Sequence, residues 1–328
     1  MRKSRIAAAG LALLLGASLA ACGGDTAETP AGEADPTTGA TEGDPAAEAG
    51  SDLDLAAYNA IIDGGAVADD ATIAASEWAS AVKEAGVLRV GGTETSNLFS
   101  ILNPAEGRVV GFDAGISQLL ATYILGEPET NLTQVAVDTR ETLLQSGDVD
   151  TTIATYTINA ARAEVISFAG PYYSSQGGIL VSSSNTDINS LEDLAGKTVA
   201  TQAASTGEDL IAEFAPDATI LPLPDHAQAV EAVKNGNADA YVIDQTLLLN
   251  AVLQEAGAVK VVGEAFGPED RYGIGLPLGS DGVEFVNAFL DELIADGTWA
   301  NLWQVTIGDR TGVSEAPAAP TPGETGLN

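Results

Sequence analysis

The chain has little of what catalysis and metal binding usually draw on. Among 328 residues there are one cysteine, one histidine and one methionine, and aromatic residues make up only 5%. A single cysteine excludes an intrachain disulfide, so the fold must rest on its apolar core. No paired-cysteine metal site, GxGxxG fingerprint, P-loop or GxSxG elbow occurs, and no cofactor or metal is expected. Cations are scarce, with 13 Lys and Arg against 47 Asp and Glu. Phosphates need basic partners, so nucleic acid is excluded as a ligand. Long apolar runs are missing too, apart from IAAAGLALLLGASLA at 6–20, which is too short for an ordinary membrane span.

That run follows Arg2, Lys3 and Arg5, the pattern of a signal peptide over 1–21. It ends in Leu19-Ala20-Ala21-Cys22-Gly23, which resembles a bacterial lipobox, with Cys22 lipidated and left as the N-terminus. The alternative is an exposed thiol after an ordinary secretory cleavage site. From Cys22 onward the chain carries 10 cations against 47 acids, a net charge of −37. Residues 22–50 contain no aromatic and no large aliphatic side chain, so they are expected to form a disordered acidic linker between the anchor and the folded part. The tail 309–328 has the same character and the same expectation. The 250 or so residues between are enough for two lobes.

Those residues alternate strand and helix signals. Val87–Val90 reads as a strand ending at Gly91-Gly92. Phe112, Ile116, Leu119, Leu120 and Tyr123 then recur at helical spacing behind a possible N-cap at Asp113. Residues 132–137 and 151–154 read as strands. Between them Asp138-Thr139-Arg140-Glu141 forms a plausible capping box, and Gly147 closes its helix. The second half repeats the pattern: strands over 178–181, 198–201, 240–243 and 259–262, with helices over 191–194, 208–214, 227–235 and 245–255. Helices over 283–295 and 298–304 close the chain. The reading is an α/β fold with mostly parallel sheets.

Two of the ten cations sit where a helix disfavours them. Arg162 falls in the first turn of a helix capped by Asn159, and Arg140 in the first turn behind Asp138. A cation there opposes the helix dipole by about 0.3–1 kcal/mol when exposed. Local pairing of Arg162 with Glu164, or of Arg140 with Glu141, is one reading, although neighbours at those spacings do not face each other on a helix. The other is that both cations, with the free N–H groups beside them, converge on an anionic ligand.

The blocks LRVGG, VVGFDAGISQLLA, RETLLQSGDVD, TYTINAARAEVISFAGPYY, LEDLAGKTVATQ, ASTGEDL, GNADAYVID and YGIGLPLGSDG occur in the order seen in family 3 solute-binding proteins. These are the extracytoplasmic receptors of polar amino-acid ABC importers. The resemblance spans about 76–308, and the Arg140 and Arg162 segments look most like actinobacterial glutamate-binding lipoproteins. It implies a two-lobe periplasmic-binding-protein-like (Venus-flytrap) fold with hinges at Gly178–Ser182 and Tyr272–Leu276. Residues 51–71 are then an N-terminal extension, 72–178 plus 275–308 lobe 1, and 179–274 lobe 2.

The resemblance also assigns roles. Arg162 matches the arginine that binds a ligand α-carboxylate, and a guanidinium's planar fork suits that task better than lysine. Thr157, Ser205 and Thr206 match groups that complete the carboxylate site. Independently, Ser205-Thr206-Gly207-Glu208 reads as a capping box, and both roles are compatible. Asp244 matches the carboxylate that takes the ligand ammonium, with Thr155 beside it; the alternative is an N-cap for the helix from Gln245. A carboxylate ending a buried strand lies where ligands bind in open α/β sheets. Arg140 matches a second arginine that meets a distal carboxylate, and His226 a histidine near the ligand side chain, although a lone histidine is more often a surface or capping residue. The pattern breaks at Thr93, where acidic-amino-acid receptors often carry a cation, and Glu94 beside it disfavours an anion unless it pairs with Arg140.

The implied function is delivery of glutamate, or a related polar amino acid, to an ABC permease with a cytoplasmic ATPase, by a monomer tethered through Cys22. Closure follows from the ligand, because only the closed form makes both charged contacts. Glutamine, aspartate and asparagine stay open as ligands. A ligand-sensing lipoprotein, and a dehydratase-like enzyme using Glu94, Asp244 and His226, are the readings from other classes; no enzyme activity is expected.

Overall fold

A computed structural model describes residues 52–255 and 257–327. The expected signal peptide, Cys22 and the linker 22–50 lie outside the described residues.

Three helices open the described body: α1 (Leu55–Asp63), α2 (Asp70–Ala74) and α3 (Glu77–Ala85). Each starts on a residue whose side-chain oxygen accepts helix N–H groups, Asp54, Asp69 and Ser76. Tyr58 and Ile62 of α1 are fully buried, and Tyr58 Oη donates to Gln118 Oε1 at 3.1 Å. The segment expected as an extension therefore contributes to the core.

Eleven strands follow: β1 (Leu88–Gly92), β2 (Thr95–Ser96), β3 (Ser100–Asn103), β4 (Arg108–Val110), β5 (Thr130–Gln134), β6 (Thr151–Thr152), β7 (Ser167–Ser182), β8 (Thr198–Gln202), β9 (Thr219–Leu223), β10 (Ala240–Asp244) and β11 (Val259–Leu276). Between and after them come α4 (Phe112–Leu125), α5 (Arg140–Ser146), α6 (Ala160–Ala163), α7 (Thr206–Phe214), α8 (His226–Lys234), α9 (Gln245–Gln254), α10 (Gly282–Ala295), α11 (Thr298–Trp303) and α12 (Asp309–Thr311). Eight strands form one sheet in the order β5-β1-β6-β11-β7-β10-β8-β9, while β2, β3 and β4 form a small antiparallel sheet.

The register explains the two-lobe division. At one end of the large sheet β5, β1 and β6 run parallel, and at the other β10, β8 and β9 do. The long strands β7 and β11 run antiparallel to each other through both halves. Their ladder shifts register between Val262 and Phe266 and again between Phe266 and Asp270. Bulges bend a strand and raise its twist, so lobe 1 passes into lobe 2 near 174–176 and 263–271. Of the expected hinge segments, Gly178–Ser182 pairs with β10, with Gly178 opposite Ile243, while Tyr272–Leu276 contains a third register shift, between Tyr272 and Ile274, and pairs Gly275 with Thr152. A strand read from apolar pattern alone does not show where its ladder changes register.

Two local expectations are corrected. Helix α4 begins behind Gly111, whose φ of 132° and lack of a Cβ let the chain pass Phe99; a Cβ there would stand 2.5 Å from the Phe99 backbone. Asp113 lies inside that helix, fully buried, and is not its N-cap. The tail after 309 is not disordered either. Its composition correctly excludes regular structure beyond α12, but order needs only bonded backbone and covered side chains. Buried Arg310 donates to the carbonyl and the side-chain oxygen of Asn97. Gly323 N–H donates to Gly170 O at 2.8 Å, Arg271 donates to Glu324 O at 3.1 Å, and Ala316 and Ala319 pack on the core.

Ending the chain at Gly308 should therefore lower unfolding stability by about 2–3 kcal/mol, the scale of losing charge-assisted bonds. Urea denaturation checks this, and an unchanged midpoint would return the tail to the role of a spacer.

Candidate functional site

The carboxyl ends of β1, β6, β8 and β10 open onto a cleft between the lobes, a cavity of about 590 Å³. That size suits a small metabolite. Lobe 1 lines it with Thr93, Arg140, Thr155, Thr157 and Arg162, and lobe 2 with Ser205, Thr206, His226 and Asp244. All nine residues singled out by the sequence share this cavity. Glu94 does not line it.

The arginines rest on an apolar pad. Leu144, Val149, Tyr156, Ile158, Ile166 and Phe168 form a separate cluster at this end of lobe 1, and the Tyr156 ring meets Phe168 edge-on at 4.9 Å. The guanidinium of Arg140 lies 3.6 Å from the Tyr156 ring centroid, and that of Arg162 lies 5.2 Å from it. Cation–π contact of this kind contributes about 0.5–2 kcal/mol. Arg140 is 5% and Arg162 8% exposed. Arg140 Nη1 donates to Ala154 O at 3.2 Å, and its Nε is buried with no partner among the described residues. Burial, and then the charge of Arg162, push the Arg140 pKa down to about 9, so it is still a cation at neutral pH.

Arg162 is held from several sides. Its N–H caps onto Asn159, as the sequence predicts, and Nη1 donates to Thr157 O at 2.9 Å. Nη2 reaches Ala204 O of lobe 2 at 3.5 Å, so it bridges the cleft. Its carboxylate neighbour is Glu141, 3.9 Å from Nε, rather than Glu164. Glu141 also accepts from Tyr156 Oη at 2.8 Å. The predicted capping box is absent because Glu141 is turned to this cluster; α5 starts behind Thr139, without a side-chain cap.

Two non-glycine residues have positive φ: Thr155 (44°), which lines the cavity from lobe 1, and Ala204 (61°), whose carbonyl Arg162 reaches on lobe 2. Such backbone costs of order 1–3 kcal/mol and persists only where the surroundings fix it. A carboxylate pins each one: Asp113 Oδ2 accepts from Thr155 N–H at 2.8 Å, and Glu208 Oε1 from Ala204 N–H at 2.9 Å. Burial raises the Asp113 pKa to about 6, with donation from Tyr172 and Thr155 opposing it. Glu208 thus serves the N–H one residue before the position a capping box uses, while Ser205 Oγ accepts from Gly207 N–H at 3.2 Å.

On lobe 2, Asp244 is 3% exposed. It occupies the backbone cap position of α9, yet its side chain makes no cap bond, so capping does not account for the carboxylate. His226 opens α8, and its Nδ1 lies 3.0 Å from Tyr241 Oη. Its Nε2 is buried without a partner among the described residues, and burial lowers its pKa to about 4. Sequence reasoning did not single out Gln202, which ends β8 at the cleft as Asp244 ends β10, or Tyr156, the ring both arginines approach. The strand-end rule that located Asp244 also reaches Gln202.

Residues 88–307 match the family model described as bacterial extracellular solute-binding proteins, family 3, and the chain belongs to that family. It is 31% identical over 228 residues to the "ABC transporter glutamine-binding protein GlnH" of Bacillus subtilis, covering 69% of this chain and 82% of that protein. To the "Glutamate-binding protein GluB" of Corynebacterium glutamicum it is 31% identical over 253 residues, covering 74% and 84%. The crystal structure of a solute receptor for L-cysteine from Neisseria gonorrhoeae superimposes with a TM-score of 0.68 at 25% identity, covering 73% of this chain and 97% of that one. The chain has the fold of these amino-acid receptors, a mixed α/β body with one large sheet.

A histidine held neutral in the fold titrates only when unfolded as pH drops below about 6.5. His226 should therefore cost stability between about pH 6.5 and pH 4, and its ring carbons should not titrate above pH 5 by NMR. His226→Gln should flatten the acid limb of unfolding; an unchanged limb would show that the ring is charged in the fold.

Proposed function

We propose that this family member is an extracytoplasmic receptor that captures a polar amino acid, glutamate first, and delivers it to an ABC transporter permease with a cytoplasmic ATPase. One observation carries the reading: two buried guanidiniums and one buried carboxylate face a single cavity from opposite lobes. Glutamate carries the inverse set, two carboxylates and one ammonium. In this reading Arg162, with Thr157 and the Ser205-Thr206 turn, takes the α-carboxylate. Asp244 and Thr155 take the ammonium. Arg140 and His226 meet the side chain, with Thr93 at its edge. An anion between the arginines would relieve the repulsion each now feels from the other.

Bonds across the cleft support closure as the working step. Leu98 N–H donates to Asn250 Oδ1 at 2.8 Å, Gln254 Nε2 to Thr95 O at 3.2 Å, and Arg162 to Ala204. Cys22 as a lipid anchor and a monomeric state complete the proposal. Binding without catalysis is favoured because Glu94 is not on the cavity, which leaves the acid–base set for dehydration incomplete.

Glutamine is the second reading, and Glu141 favours it. A carboxylate 3.9 Å from Arg162 already supplies one negative charge, so a neutral amide side chain leaves the cleft better balanced. The relatives include receptors named for each ligand.

Calorimetric titration of residues 51–328 with glutamate, glutamine, aspartate and asparagine decides between them. Arg162→Ala should abolish binding of every ligand. Arg140→Ala should weaken glutamate at least tenfold more than glutamine, and equal losses would take Arg140 off the side-chain subsite. Asp244→Asn should cost more than about 1 kcal/mol, because it strips a charged partner from a desolvated ammonium.

A further inference from the structure

Behind Asp244 stands a second buried acid. Asp270 lies on β11 at the crossing between lobes, opposite Ser175 of β7, and is 8% exposed. Asp244 pairs in register with Gly177, two residues further along the same strand. Only Asp244 of the two lines the cavity. Asp244 Oδ1, both carboxylate oxygens of Asp270, and the hydroxyl of fully buried Tyr272 have no hydrogen-bond partner among the described residues. Four unmatched buried polar atoms in one place are costly unless a proton is shared among them.

The groups around the pair leave few ways to neutralise it. Asp270 and Tyr272 face Asp244 from β11, with Tyr173 of β7 beside Tyr272, and Tyr241 belongs to its own strand. Arg162 is the cation that acts on Asp244, and it works from across the cleft. The first turn of α9 offers Gln245 and Thr246, neither ionisable. Burial first, and the charge of Asp270 second, move Asp244 well above the usual carboxylate range, with the charge of Arg162 opposing.

We infer that the Asp244–Asp270 pair holds one proton between its two carboxyls at neutral pH. Two carboxyls packed together in a dry site do not both ionise, and they titrate as a pair. With one proton shared, the carboxyl O–H of one member donates to a carboxylate oxygen of the other. The pair then carries one negative charge, matched to one ammonium. The ligand half of this rests on the ammonium role proposed for Asp244; the shared proton does not.

The test compares wild type with Asp270→Asn, since an amide imitates a protonated carboxyl in shape and donation. A native state that holds a proton the unfolded chain releases loses stability as pH rises above about 4, until the pair itself ionises. In urea unfolding from pH 5 to pH 8 the wild type should lose stability relative to Asp270→Asn, by up to about tenfold in the unfolding constant per pH unit. His226 and Asp113 are common to both proteins and cancel in the difference. Parallel pH curves would overturn the shared proton. At pH 7, Asp270→Asn should bind glutamate or glutamine within about threefold of wild type; a loss beyond tenfold would mean that both carboxylates are charged and would also overturn it. Should the variant not fold, carboxyl-carbon NMR of wild type serves: one step well above the usual carboxylate range is expected, and two ordinary steps would refute the pair. A wild type that binds no amino acid sinks the proposed ligand, and the unfolding comparison still judges the proton.

Discussion

Two guanidiniums are buried beside one tyrosine ring, and most of the site follows from that arrangement. Like charges in a low-dielectric cleft repel, and burial first, with that repulsion second, lowers the pKa of Arg140. The fold tolerates them because each compensation is partial. The Tyr156 face accepts both cations, Ala154 and Thr157 carbonyls accept one N–H each, and Glu141 stands near one of them. Arg140 Nε still has no partner among the described residues. One lobe thus presents incompletely matched cations to the cavity, and the other a buried carboxylate, Asp244.

Position follows from backbone as much as from side chains. Thr155 and Ala204 adopt left-handed conformations that residues with a Cβ avoid, and both bring cleft loops to the point where the lobes meet. Each is fixed by an acid from its own lobe, so the strain is carried by rigid elements rather than by the closing motion. The long strands β7 and β11 run through both lobes, and their ladder shifts register between Val262 and Phe266, between Phe266 and Asp270 and between Tyr272 and Ile274. The loop at 95–98 ties the scheme together. Arg310 holds Asn97 from the tail, while Asn250 and Gln254 of lobe 2 reach Leu98 and Thr95.

Much of this was legible in the sequence, for identifiable reasons. Strand-then-helix alternation in the second half is strongly periodic, and elements such as β8, α8, β10 and α9 fall within a residue or two of expectation. The cleft residues could be found because ligands gather at strand ends and helix starts in open sheets. What failed was local competition. Asp113 and Glu141 look like helix caps in sequence, but tertiary partners, Thr155 N–H and Tyr156 Oη, claim them first. The tail misled because composition reports the lack of regular structure and says nothing about contacts made with a finished core. Asp270 left no signal at all, since one acid in an acidic chain looks like surface until its strand is placed.

The acidity of the whole chain and the cationic cleft are compatible because they act over different ranges. Surface charge is screened within about 8–10 Å at physiological salt, so it governs how often an anion arrives. Inside the cleft the effective dielectric is lower and screening is weak, so the arginines govern how long an anion stays. Several of the other cations pair with acids: Arg89 with Asp150, Arg108 with Glu106, Lys234 with Glu231 and Glu255, and Arg271 with Glu269. Among the described residues, the one ion pair that buried Arg140 and Arg162 make between them is the 3.9 Å approach of Arg162 to Glu141. A chain this short of positive charge that leaves two arginines incompletely matched in one cavity has placed its strongest attraction where solvent cannot weaken it.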